Sequence, residues 1–141
     1  MSKKKMPKGE KYILTLSREQ AIMVQDACEL FARLKIGQFE RITEMLLDLR
    51  LDDYCDKRDL ANSLLKIVAC ILLGSTEYRT PRTQPDELHH RAWNIHAVIR
   101  HCMAWHDYPE GNPYSVWFDK PYPHGYEALP EIEVKETCTN E

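Results

Sequence analysis

The sequence predicts a mainly α single domain of about four helices, with a minor β element formed by an N-terminal strand and the C-terminal segment. Apolar residues recur every three or four positions through 18–35, 38–50, 57–73 and 86–106, the spacing of helices that bury one face. The 141 residues suffice for one core and are too few for two ordinary domains. Five prolines between 107 and 130 forbid a long helix there.

Residues 1–10 carry Lys3, Lys4, Lys5 and Lys8 and predict a disordered basic start to a domain spanning 11–135. Lys11 to Leu16 is short and β-prone, a strand by composition. Ser17-Arg18-Glu19-Gln20 has the form of a capping box, in which the serine and the glutamine satisfy each other's backbone N–H groups. The helix it opens runs through Ala21, Val24, Cys28, Phe31 and Leu34 and ends at Gly37, where glycine tolerates a left-handed cap.

The second helix puts Phe39, Ile42, Met45, Leu46 and Leu49 on one face. Asp52 to Asp56 interrupts the pattern. The third helix carries Leu60, Leu64, Ile67, Val68 and Ile71, and its last turns are apolar nearly all round. That implies burial on several sides, in the domain centre or at a subunit interface. A loop from Ser75 to Pro85 leads to Asp86, an N-cap for the fourth helix. Beyond it, Ser115 to Asp119 and Glu131 to Lys135 have the composition of short strands able to pair with the first.

The fourth helix is the most informative segment. Residues 89–106 hold five of the six histidines and two of the three tryptophans. At 100° per residue, Leu88, Ala92, Ile95, Ile99, Cys102 and Met103 form an apolar stripe. One flank carries His89, Trp93, His96 and Arg100, and the other His90, Asn94, His101 and Trp105. No His-x-x-x-His pair exists, so two imidazoles cannot reach one ion from this helix. A zinc site would need Asp86, Glu87, Cys55 or His124 as well. The plain structural reading has the histidines packing beside tryptophan, solvated or at an interface. The sharper one is a ligand surface: Trp93 or Trp105 stacks on a planar group, while His96, Arg100, His101 and the loop residues Arg79 and Arg82 meet an anion. Aromatic plus arginine equally marks a protein hot spot.

The rest narrows the classes. Net charge of −3 argues against a nucleic-acid footprint. No apolar run approaches the roughly 18 residues of a membrane span. Five scattered cysteines without a C-x-x-C pair point to a reducing compartment. No phosphate loop, G-x-S-x-G or H-E-x-x-H occurs, so no catalytic residue, cofactor or metal is assigned.

Phe31 to Glu40, with its Gly37-Gln38-Phe39, and Val98 to Trp105, with its Val-Ile-Arg-His, resemble segments of small uncharacterised accessory proteins of tailed bacteriophages and prophages. The resemblance spans roughly residues 12–134 and singles out Gln38, Arg100 and His101. It implies a viral protein in the bacterial host cytosol. The expectation is therefore a non-enzymatic, anti-defence, homo-oligomeric protein. It would bind a host factor or sequester a nucleotide-like signal. The alternative is a metal-dependent hydrolase using the histidine-rich helix.

Overall fold

A computed structural model describes residues 11–46, 54–73 and 84–135. Four helices account for most of them: α1 (Arg18–Lys35), α2 (Glu40–Leu46), α3 (Tyr54–Leu73) and α4 (Glu87–Asp107). A single 3₁₀ turn follows at Val116–Phe118. The basic start predicted as disordered lies outside the described residues, as does the 75–83 part of the loop.

The capping box forms as the sequence predicts. Gln20 N–H donates to Ser17 Oγ, and Ser17 N–H donates to Gln20 Oε1. At the other end Gly37 adopts φ +82°, and two bonds close the helix, Gln38 N–H to the Arg33 carbonyl and Gly37 N–H to the Leu34 carbonyl. This six-to-one, five-to-two pair reverses the chain within two residues, so α2 starts at Glu40 and not at 38. Its predicted end, 47–50, lies outside the described residues. Helix α3 begins at Tyr54, three residues early, which brings the carboxylate of Asp56 into the positive first turn.

Helices α1 and α4 lie antiparallel. Arg18 at the start of α1 holds Asp107 at the end of α4 through two 2.6 Å bonds, and Lys35 at the other end pairs with the N-cap Asp86 at 2.7 Å. Small side chains let the helices close. Ala32, Ala92, Ala97 and Ala104 are buried with Ile99, and among the described residues no large side chain is fully enclosed. The C-terminal segment covers the opposite side of α4, making α4 the middle layer.

Two expectations are corrected. No β-strand exists among the described residues: Lys11 to Leu16 is irregular and largely open, Ser115 to Asp119 forms the 3₁₀ turn, and Glu131 to Lys135 forms no ladder. The chain ends do approach each other, but through side chains. Lys11 Nζ is 3.5 Å from Glu131, and Leu14, Leu16, Ile132 and Val134 share one groove against α1 and α4. The Ser115 hydroxyl accepts from Trp117 N–H, which curls that β-prone stretch into a turn. Nor does α3 occupy the domain centre. Among the described elements it packs only on α2, with Ala69 buried and Asn62 accepting a 2.6 Å bond from the Thr43 hydroxyl, while its aliphatic face remains open.

Candidate functional site

The histidines of α4 face both neighbours. His89 Nδ1 lies 2.8 Å from the Ala32 carbonyl, one of the last carbonyls of α1, which Ile36 N–H bypasses for that of Arg33. A ring N–H here caps an otherwise orphaned acceptor. Two turns further, His96 Nδ1 is 3.3 Å from the Gln25 carbonyl, and its Nε2 is 3.4 Å from Arg100. Arginine can only donate, so Nε2 accepts and the proton sits on Nδ1, where the carbonyl needs it. Burial lowers the His96 pKa, with Arg100 adding to the effect and Glu29 opposing it. The imidazole is a neutral bridge between α1 and Arg100.

Around this bridge α1 and α2 gather charge. Glu29 accepts from Arg33 Nε at 2.8 Å and from Arg41 at 3.1 Å. Burial would raise its pKa, but the Arg33 bond and the two guanidinium charges outweigh it and hold the carboxyl below its ordinary value. Arg33 continues to Gln38 Oε1 at 2.8 Å and lies 6.0 Å over the Trp93 ring, within cation–π range. The Trp93 ring stacks in turn on His89, with planes 10° apart.

Asn94 anchors the other wall. Its Nδ2 donates to the His124 carbonyl and its Oδ1 accepts from His124 N–H, both at 3.0 Å. The side chain imitates a strand neighbour and pins the Pro-rich segment on α4. Gly125 follows at φ +75°, where a Cβ would stand 2.7 Å from His90 Nδ1, so only glycine fits this approach. The His124 pKa is lowered, by burial first and by His90 and His89 next.

Between these walls lies a groove of about 550 Å³. Trp93, Tyr122, Pro121 and three histidines (His89, His90 and His124) supply flat apolar surface; Arg33, Arg100 and Lys120 supply positive charge against the single carboxylate of Asp119. Arg100 is half-buried, and its Nε has no hydrogen-bond partner. Desolvation lowers its pKa, opposed by Glu29 and Asp119.

Of the residues singled out from sequence, Trp93 and Arg100 line this groove and His96 supports Arg100 from behind. His101 and Trp105 lie elsewhere. His101 Nδ1 meets the Trp117 carbonyl at 3.2 Å, and Trp105 Nε1 donates to the Phe118 carbonyl at 3.3 Å while its ring packs edge-on against Phe118. Both clamp the 3₁₀ turn. Arg79 and Arg82 lie outside the described residues. Arg33, Gln38 and Lys120 complete the polar lining and were not recognisable as site residues from periodicity. Gln38, in the Gly-Gln-Phe motif, was the only one with a sequence signal.

Among the described residues, no three His, Cys, Asp or Glu side chains are grouped to hold a metal ion. Cys28, Cys70 and Cys102 are half-buried thiols, and burial raises the pKa of Cys28 and Cys102. No described helix is long and apolar enough to cross a membrane. No family model matches the chain, and neither a curated protein nor a solved structure is significantly similar to it.

Proposed function

We propose that this chain is a non-enzymatic binding protein whose groove takes a planar ligand carrying an anionic group, of nucleotide-like chemistry. One observation carries the reading. The Arg100 guanidinium, half-buried and with its Nε unsatisfied, shares a groove with Trp93, Arg33 and Lys120. Leaving a buried guanidinium partly unpaired is costly, and an anion held on the groove side of that guanidinium offsets part of the loss. A base or other flat group finds stacking partners in Trp93 and Tyr122 while its phosphate meets the cations. The resemblance of the Gly-Gln-Phe and Val-Ile-Arg-His stretches to bacteriophage accessory proteins supplies the setting, sequestration of a nucleotide signal in the host cytosol as an anti-defence measure.

Thermal shift and calorimetry against a panel of cyclic nucleotides, nucleoside diphosphates and ADP-ribose derivatives test the reading. At least one member stabilises the wild type, and Arg100→Ala removes that stabilisation while retaining the wild-type circular dichroism spectrum. A panel with no stabilising member would sink the proposal. A second reading, binding of a host protein, draws on the C-terminal segment, where Tyr114 and Tyr126 are each 97% open and Trp117 is exposed as well. Pull-down from host lysate that depends on Tyr114 and Trp117, with no nucleotide effect, would favour it.

A further inference from the structure

Helix α3 carries a feature that the groove does not use. Its one neighbour among the described elements, α2, meets the side holding Asn62 and Ala69. Turning 100° per residue, Leu60, Leu64, Ile67 and Ile71 fall in a narrow arc on the opposite side. Their spacing of four, three and four is the a/d repeat of a two-helix seam. All four are open to solvent, as are Val68 and Leu72 on one border, with exposures from 42% to 74%. Positions beside the seam, Ala61, Ser63, Val68 and Cys70, are uncharged and mostly small. From 60 to 72 the only charged residue is Lys66, on the α2 side.

The size of this face indicates what covers it. Six side chains open to that extent present on the order of 500 Å² of apolar surface, near the top of the range for the largest patch on a monomer. That is well over half of the roughly 800 Å² per partner in a standard interface, before any polar rim is counted. The seam is also complementary to itself. Reversed about a point between residues 65 and 66, Leu60 meets a second Ile71 and Leu64 a second Ile67. A parallel pair would bring two copies of Lys57, at the a position one heptad before Leu64, face to face. The antiparallel pair separates them and aligns each helix dipole with the opposite end of the other.

We propose that the occupant of this face is α3 of a second copy, in an antiparallel, two-fold dimer. None of the seam residues lines the α1–α4 groove. The dimer therefore stands or falls independently of the ligand.

Light scattering after size-exclusion chromatography of the full chain at micromolar concentration reads the state directly. The expected mass is twice that of one chain, and Leu64→Glu reduces it to one chain with unchanged helical circular dichroism. Ile71→Lys, at the far end of the seam, gives the same result and serves if Leu64→Glu loses helix. A monomeric wild type would overturn the proposal, assigning the face to another segment or a foreign partner. So would a dimer that survives both folded variants. Mild oxidation in a Cys70→Ser background, which removes the native thiol beside the seam, reads the orientation: Leu60→Cys with Ile71→Cys forms an intermolecular disulfide above the Cys70→Ser background, whereas Leu60→Cys alone does not. Crosslinking by the single variant would overturn the antiparallel arrangement.

Discussion

Replacing Asn94 tests how the groove is built. The residue is only 3% exposed, and its amide makes both bonds to the backbone of His124 across 30 residues of chain. Asn94→Ala removes two bonds of about 1 kcal/mol each and strands a donor and an acceptor in a partly buried position. His124 stands at the groove rim, where water can reach the freed groups, so the total falls at about 2–3 kcal/mol and not at the sum of two full desolvation penalties. Urea unfolding measures it as a lowered midpoint with an unchanged slope. Hydrogen exchange localises it: the His124 amide loses its protection while amides in the α1–α4 contact keep theirs at the level set by the lower global stability. Asn94→Asp sharpens the result. It keeps the acceptor for His124 N–H but sets a carboxylate oxygen against the His124 carbonyl, so it destabilises at least as much as alanine. An Asn94→Ala protein within about 0.5 kcal/mol of wild type, the range of an inert surface change, would refute the clasp. Retained His124 protection in that variant would refute it as well.

Three other perturbations probe the surroundings. Glu29→Gln leaves Arg33 and Arg41 without their shared carboxylate, whose side chain is 12% exposed. A loss of about 2 kcal/mol in urea is expected, since hydrogen bonds to charged groups are the stronger class. A change under 0.5 kcal/mol would show that the network contributes little. Gly125→Ala forces a Cβ to 2.7 Å from His90 Nδ1 at φ +75°, so the melting temperature falls and the segment carrying Tyr122 and His124 exchanges faster. An unchanged melting temperature would mean that the segment relaxes freely. The pH dependence follows from His96 and His124, both with pKa lowered by burial. The unfolded chain then binds more protons, so their contribution to stability is complete above about 6.5, the ordinary histidine value. It declines as pH drops through the folded values, so melting at pH 5.5 comes below that at pH 7.5, and His96→Gln flattens the difference. A flat profile in the wild type would contradict neutral burial.

The helical elements were legible because each rests on local chemistry. Ser17 and Gln20 cap α1 by their spacing alone, Gly37 supplies the left-handed turn that ends it, and Asp86 caps α4 through His89 N–H. Apolar periodicity located the four helices for the same reason, since it reports which face must leave water. What periodicity could not rank was polar burial. His89, Asn94 and His96 look like flank residues, yet they are among the most enclosed side chains of α4. Each meets a backbone group supplied by a distant segment, at Ala32, His124 or Gln25. The candidate site shows the same division. Trp93 and Arg100 stand out by residue type, whereas Arg33 and Lys120 join them only because α1 and the Pro-rich segment flank α4.

Strand propensity failed at both ends because a strand needs a partner. Leu14 and Val134 share a groove through side chains with no ladder between them, and Ser115 turns its own backbone instead. The sequence by itself determined where the chain coils and where it turns, since caps, glycines and prolines act within a few residues. The tertiary structure decided which polar groups are buried, which cations share a groove and which apolar face stays open on α3. Those outcomes depend on contacts between residues tens of positions apart, which no local pattern records.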